Sequence, residues 1–269
     1  MDDGLTVKIG CCSWSYHRVM ETGRVDFAEW LRICAEDLRV GGVDIIATQL
    51  PKRTARYALD VKKRCTDYQL TISALSPSND FGRPTVRERQ AQVDDVTRWI
   101  ETAFILGAPC LRIFAGWPPQ GRETDLWAPM VACVRKVAKT AAQAGVTLVV
   151  EPHDQGGFLP DSRRTLRLIE ELHSPWVRVN LDVGNYHEAD LYGGLEASMP
   201  YAPHVVAKIS RLNSQGEEPT LDYAKIFAML SRHHYRGFVT VEYEGEADEL
   251  QAVPRAVAML RRYAATYRM

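Results

Sequence analysis

Short apolar runs alternate with longer amphipathic stretches along the whole chain. Runs of five or six residues rich in Val, Ile and Leu lie at Val7–Cys12, Gly42–Ala47, Leu70–Leu75, Cys110–Phe114, Thr147–Glu151, Val177–Asp182, His204–Ile209 and Phe238–Glu242. They read as strands covered on both faces. Between them the apolar positions recur every three or four residues. That spacing predicts helices over Phe27–Leu38, Lys52–Arg64, Thr85–Leu106, Glu123–Ala144, Asp161–Leu172, Tyr223–Arg232 and Asp248–Arg262. Residues 191–199 carry only a weak helical pattern.

The boundaries have local causes. Gly107 and Gly145 follow long helical patterns, where a left-handed residue ends a helix. Asp161 is an N-cap candidate before SRRTLRLIEEL. Gly237 follows a segment ending in Arg232, His233 and His234, cations favoured at a helix carboxyl end. Repetition of the strand–helix unit predicts an α/β fold, a closed (β/α)8 TIM barrel, as one domain over residues 1–269. A doubly wound open sheet is the rival. The first strand–helix loop, CSWSYHRVMETG, lacks the GxGxxG phosphate cradle that such a sheet uses.

Composition narrows the function classes. The chain has 269 residues, 46% hydrophobic and 25% charged, with a net charge of −1. That charge opposes an extended nucleic-acid footprint. No long uncharged apolar run predicts a membrane span. The start, MDDGLTVKIG, is acidic and does not read as a signal peptide. Six cysteines without CxxC spacing lie mostly in apolar stretches. They read as reduced, buried thiols of a cytoplasmic protein.

The chemistry concentrates where strands end. LVVEPHD, VRVNLDVGN and FVTVEYEG run apolar and then turn polar at Glu151, Asp182 and Glu242. A single strand-end carboxylate commonly caps a helix or meets a lysine. Three in one barrel mouth repel one another and need a cation or a proton. Oxygen donors of this kind suit Mg²⁺ or Mn²⁺.

The order E-x-H, D-x-G-N, HVxAK and GFxxxEYEG, from Glu151 to Gly245, resembles the xylose isomerase-like barrel superfamily, and within it the sugar phosphate isomerase/epimerase proteins. The resemblance spans nearly the whole chain. It implies a divalent metal, Mn²⁺ or Mg²⁺, with Glu151, Asp182 and Glu242 as three of four ligands. It implies Glu151 and Glu242 as the catalytic acid and base, which move a proton beside a carbonyl through an enediolate. It implies a small sugar or polyol as substrate and is compatible with a homo-oligomer. The shared first step leaves a lyase acting on a keto-inositol or keto-glycoside as the alternative. A sugar-binding relative without catalysis is a further one. A repair endonuclease would need more histidines and a more basic surface.

Three departures bear on the metal, one of them Asn185, which stands where the pattern often has a histidine three residues after the strand-six aspartate. The fourth ligand, a histidine of the seventh strand, falls on Val206; His204 has the same parity but lies about 6–7 Å deeper. The strand-two acidic residue of the pattern falls near Ala47. Either the three carboxylates still hold Mg²⁺ or Mn²⁺, the preferred expectation, or Lys208 supplies the cation. In the second case one carboxylate holds a proton at neutral pH. Further substrate-binding candidates are His153, Lys208, Asn185, Arg112 and Trp14. Structural counter-readings stand beside them: a loop cap for His153, a salt bridge for Lys208, a buried ion pair for Arg112 and core packing for Trp14; loop hydrogen bonding is the reading for His187, which follows Asn185.

Overall fold

The protein is described by a computed structural model covering residues 7–153 and 156–267. Asp154, the last residue of LVVEPHD, lies outside the described residues, as do residues 1–6. Parallel strands close into a barrel in chain order: β1 (Lys8–Cys12), β2 (Gly42–Ile46), β3 (Thr71–Ser76), β4 (Cys110–Phe114), β5 (Thr147–Glu151), β6 (Val177–Asp182), β7 (His204–Ile209) and β8 (Phe238–Tyr243). Pairing of Ile9 with Val239 and Cys11 with Val241 closes the ring. The predicted (β/α)8 barrel is the observed fold.

Helices fill the connections: α1 (His17–Glu21), α2 (Phe27–Arg32), α3 (Ala55–Asp67), α4 (Val86–Leu106), α5 (Glu123–Ala144), α6 (Ser162–Leu172), α7 (Leu191–Ser198), α8 (Tyr223–Arg232) and α9 (Glu249–Thr266). Their ends show the expected chemistry. Thr85 and Glu88 form a reciprocal capping box on α4. Asp161 accepts from the Arg164 amide at the start of α6. Gly107 and Gly145 close α4 and α5 with φ of 77° and 68°. After α8 the left-handed residue is His234, with φ of 50°, rather than Gly237. Helix α3 starts at Ala55 instead of Lys52, because Thr54 accepts from the Tyr57 amide and sets the cap there.

Large side chains such as Trp30, Leu31, Ile100, Leu111 and Phe227 are buried in the main core, which packs helices against strands. Inside the barrel, Ala74, Cys110 and Val149 form a small apolar cluster. Asp44, Arg112, Asn180, Asp182, His204 and Thr240 are also buried. Buried polar side chains on this scale require partners, and those partners define the site.

Candidate active site

Strand register places the site. Lys208 of β7 pairs with Glu242 of β8, and one rung below Val206 stands between Asp182 of β6 and Thr240 of β8. Alternation then turns Asp182, Val206, Lys208 and Glu242 to one side of the sheet, toward the barrel interior. Glu151 ends β5 opposite Phe114 of β4.

Lys208 is the centre of the constellation. Its Nζ lies 3.1 Å from Asp182 Oδ2, 2.5 Å from Glu242 Oε2 and 3.3 Å from Glu244 Oε1. Asp182 also accepts from the Gly184 amide through Oδ1, at 2.8 Å. Gly184 makes room for the lysine stem: a Cβ there would stand 2.8 Å from Lys208 Cβ and Cγ. A second cation flanks Glu151. The Arg112 Nε is 3.6 Å from Glu151 Oε2, and the guanidinium lies 3.9 Å above the Phe114 ring.

Behind Glu151 runs a buried hydrogen-bonded chain. Asn180 Nδ2 donates to Glu151 Oε2 at 2.6 Å, Asn180 Oδ1 meets His204 Nδ1 at 2.7 Å, and His204 Nε2 meets Ser73 Oγ at 3.2 Å. Burial pushes the His204 imidazole down to about 4, so it is neutral at pH 7. His204 therefore braces β6 from inside the barrel and does not reach the mouth as a ligand.

The carboxylates divide by environment. Burial raises Glu151 to about 7, a rise that Arg112 opposes and Glu242 reinforces. Burial likewise raises Asp182 to about 7 against the pull of Lys208. Glu242 is also pushed up by burial, but Lys208 outweighs it and holds the carboxylate below its ordinary value. Lys208 and Arg112 thus face Glu151, Asp182 and Glu242, with Glu244 at the rim, and the raised values of Glu151 and Asp182 favour a proton on one of them.

The donor set does not fit a divalent metal as arranged. Val206, the strand-seven position expected from the sequence to carry a ligand, is buried, offers no donor, and stands beside Asp182. The Lys208 ammonium occupies the space between Asp182 and Glu242 that the ion would need. Among the described residues, no group of three or more His, Cys, Asp or Glu is placed to hold a metal.

The other candidates sit around this centre. Asn185 Nδ2 donates to the Pro152 carbonyl at 3.1 Å, tying the β6 loop to the β5 loop. His153 packs edge-on against Phe114 and Trp117, at 5.0 and 5.5 Å between centroids. Trp14 stacks on His17 at 4.5 Å and lines a cleft of about 350 Å³ with Gln49 and Met20, outside the carboxylate cluster.

Besides Glu244, three members of the site are not among the residues singled out from the sequence. Asp44 of β2 is buried, accepts from Ser76 Oγ at 2.8 Å, and is raised by burial to about 6. Cys12 Sγ lies 3.6 Å from Glu242 Oε1. Asn180 carries the contact to Glu151. The inward parity of Asp44 in GVDII and of Asn180 in VRVNLD was a usable signal for two of them.

Comparison with known proteins agrees with this architecture. A "Putative hydroxypyruvate isomerase" of Mus musculus is 24% identical over 188 residues, 65% of this chain and 68% of that protein. The D-psicose 3-epimerase of Clostridium cellulolyticum H10, solved with D-tagatose, superposes with a TM-score of 0.80 at 17% identity, covering 96% of this chain and 99% of that one. The 3-keto-D-glucoside 4-epimerase of E. coli superposes with a TM-score of 0.79 at 19% identity, covering 95% and 99%. At such identities the superpositions establish the fold. The family described as "Xylose isomerase-like TIM barrel" matches residues 19–263, and the chain belongs to that family.

Proposed function

We propose that the protein is an isomerase or epimerase of a small keto-sugar or keto-polyol, working by proton transfer between carboxylates through an enediolate. The supporting observation is the divergence of two glutamates in one mouth. Glu242 is held ionised by Lys208, while Glu151 is raised by burial to about 7. Environments that push two carboxyl groups apart assign them opposite roles. The isomerase and epimerase names of the relatives point the same way.

In the proposed step Glu242 takes the proton from the carbon beside the carbonyl. The C–H pair becomes the enediolate double bond, and the carbonyl pair moves onto oxygen. Protonated Glu151 then returns a proton to the other face of the same carbon as the oxygen pair reforms the carbonyl; for return to the neighbouring carbon the hydroxyl proton also passes to the former carbonyl oxygen, so that the carbonyl forms at the first carbon. In the reverse direction the two exchange roles. Asp182 anchors the Lys208 ammonium, and Asn180 fixes the direction of Glu151.

The test is a panel of ketoses, keto-polyols and short hydroxy-keto acids incubated in D₂O and followed by NMR. Deuterium entering the carbon beside the carbonyl, with formation of the isomer or epimer, supports the reading. Loss of water from the substrate would instead establish a lyase. A panel with neither exchange nor product would overturn the proposal.

A further inference from the structure

We infer that the mouth is a metal-independent catalytic centre in which the Lys208 ammonium takes the charge of the enediolate oxygen. This deepens the isomerase reading, because it names the group that stabilises the intermediate. Four observations carry it. The rung Asp182–Val206–Thr240 puts an alkyl side chain where strand seven would supply a donor, and Val206 is only 2% exposed. Lys208 Nζ contacts Asp182, Glu242 and Glu244 at 3.1, 2.5 and 3.3 Å, filling the centre that a cation would otherwise occupy. Position 184 is a glycine, and any Cβ there would strike the base of the lysine stem. Arg112 supplies a second fixed cation on the Glu151 side.

The chemistry balances without a Lewis acid. As the C–H bond breaks, the proton passes to the Glu242 carboxylate. The substrate's carbonyl pair becomes an alkoxide pair facing a Lys208 N–H. Glu244 is the most exposed of the three lysine partners, with 42% of its side chain open to solvent. A substrate oxygen therefore gains the ammonium most readily by displacing Glu244, which returns to water. Asp182, with none of its side chain exposed, remains to hold the lysine in place. A preorganised cation of this kind costs no reorganisation during the step.

The experiment uses the full chain. Metal content is measured by elemental analysis after purification without chelator. Mn²⁺ binding is then titrated by electron paramagnetic resonance, and solvent exchange on the active substrate is compared before and after chelator dialysis. The expected results are no Mn²⁺ bound at stoichiometric level, exchange unchanged by chelator, and a loss of about 10²–10³-fold in Lys208→Met with partial recovery in Lys208→Arg. Stoichiometric Mn²⁺ or Mg²⁺, or exchange that chelator abolishes and metal restores, overturns this inference while leaving the isomerase reading in place. If no sugar on the panel exchanges, the isomerase reading fails and the Mn²⁺ titration alone still decides whether this centre is metal-free.

Discussion

Asn180 donates from Nδ2 to Glu151 Oε2 across 2.6 Å, and its Oδ1 meets His204 Nδ1 at 2.7 Å. The amide therefore joins a mouth carboxylate to a neutral histidine deep in the barrel. Asn180→Ala would leave Glu151 with Arg112 alone and His204 with Ser73 alone, each short of one buried hydrogen bond, at a cost of about 1–3 kcal/mol. We expect a lower Tm and a fall in kcat larger than any change in KM, because Glu151 loses its aim while the rest of the mouth is untouched. Steady-state kinetics alongside thermal melts checks this.

Glu151→Gln keeps an oxygen to accept from Asn180 but removes the carboxyl proton. Product formation should fall by about 10²–10⁴-fold, the range of a lost general acid. The circular dichroism spectrum should not change. Normal turnover by this variant would remove Glu151 from the mechanism.

Activity should depend on pH with a falling alkaline limb. Glu151 must be protonated to act as the acid, and its value is about 7, so the rate drops as pH rises through that point. Glu242 must be ionised, and its value is lowered, so the acid limb lies below the ordinary glutamate range. A pH–rate profile of kcat/KM, with the Glu151→Gln variant lacking the alkaline limb, checks the assignment.

Stability should follow the same carboxyl groups. Glu151 and Asp182 are both raised on folding, to about 7. Their contribution is fully present below the unfolded values and is lost as pH rises through about 7. Tm should therefore decline between pH 5 and pH 8, and Glu151→Gln should flatten that decline. Chemical denaturation at the two pH values gives an independent reading.

Gly184→Ala places a methyl group 2.8 Å from Lys208 Cβ and Cγ. Those atoms are the rigid root of the side chain, so the lysine must move as a whole. Turnover should fall by an order of magnitude or more, with a smaller effect on Tm. A variant with full activity would show that Lys208 does not depend on this clearance.

The barrel was legible because its strands are buried on both faces and read as plain apolar runs. Six of the eight observed strands, β2 and β4 to β8, begin at the residues expected from that pattern. The three mouth carboxylates were legible for a related reason: each interrupts such a run at its last inward position. Asp44 escaped because it lies inside GVDII, where an apolar run hides one inward carboxyl that Ser76 satisfies from the next strand. Contacts such as Cys12 to Glu242 join residues 230 apart, and no local pattern reports them. The short helix α1 was missed within a loop of mixed polarity, and α9 runs on to Thr266 through residues that carry no stop signal.

In the proposed reaction, opposed carboxylates in the mouth that holds Lys208 move a solvent-exchangeable proton. The direct measurement is deuterium incorporation into the product of a turning-over ketose in D₂O, in the native protein and in Glu242→Gln. One deuterium is expected at the carbon beside the carbonyl in the native reaction, and neither exchange nor product in the variant. Product formed without deuterium, or exchange that survives in Glu242→Gln, would contradict this proton transfer.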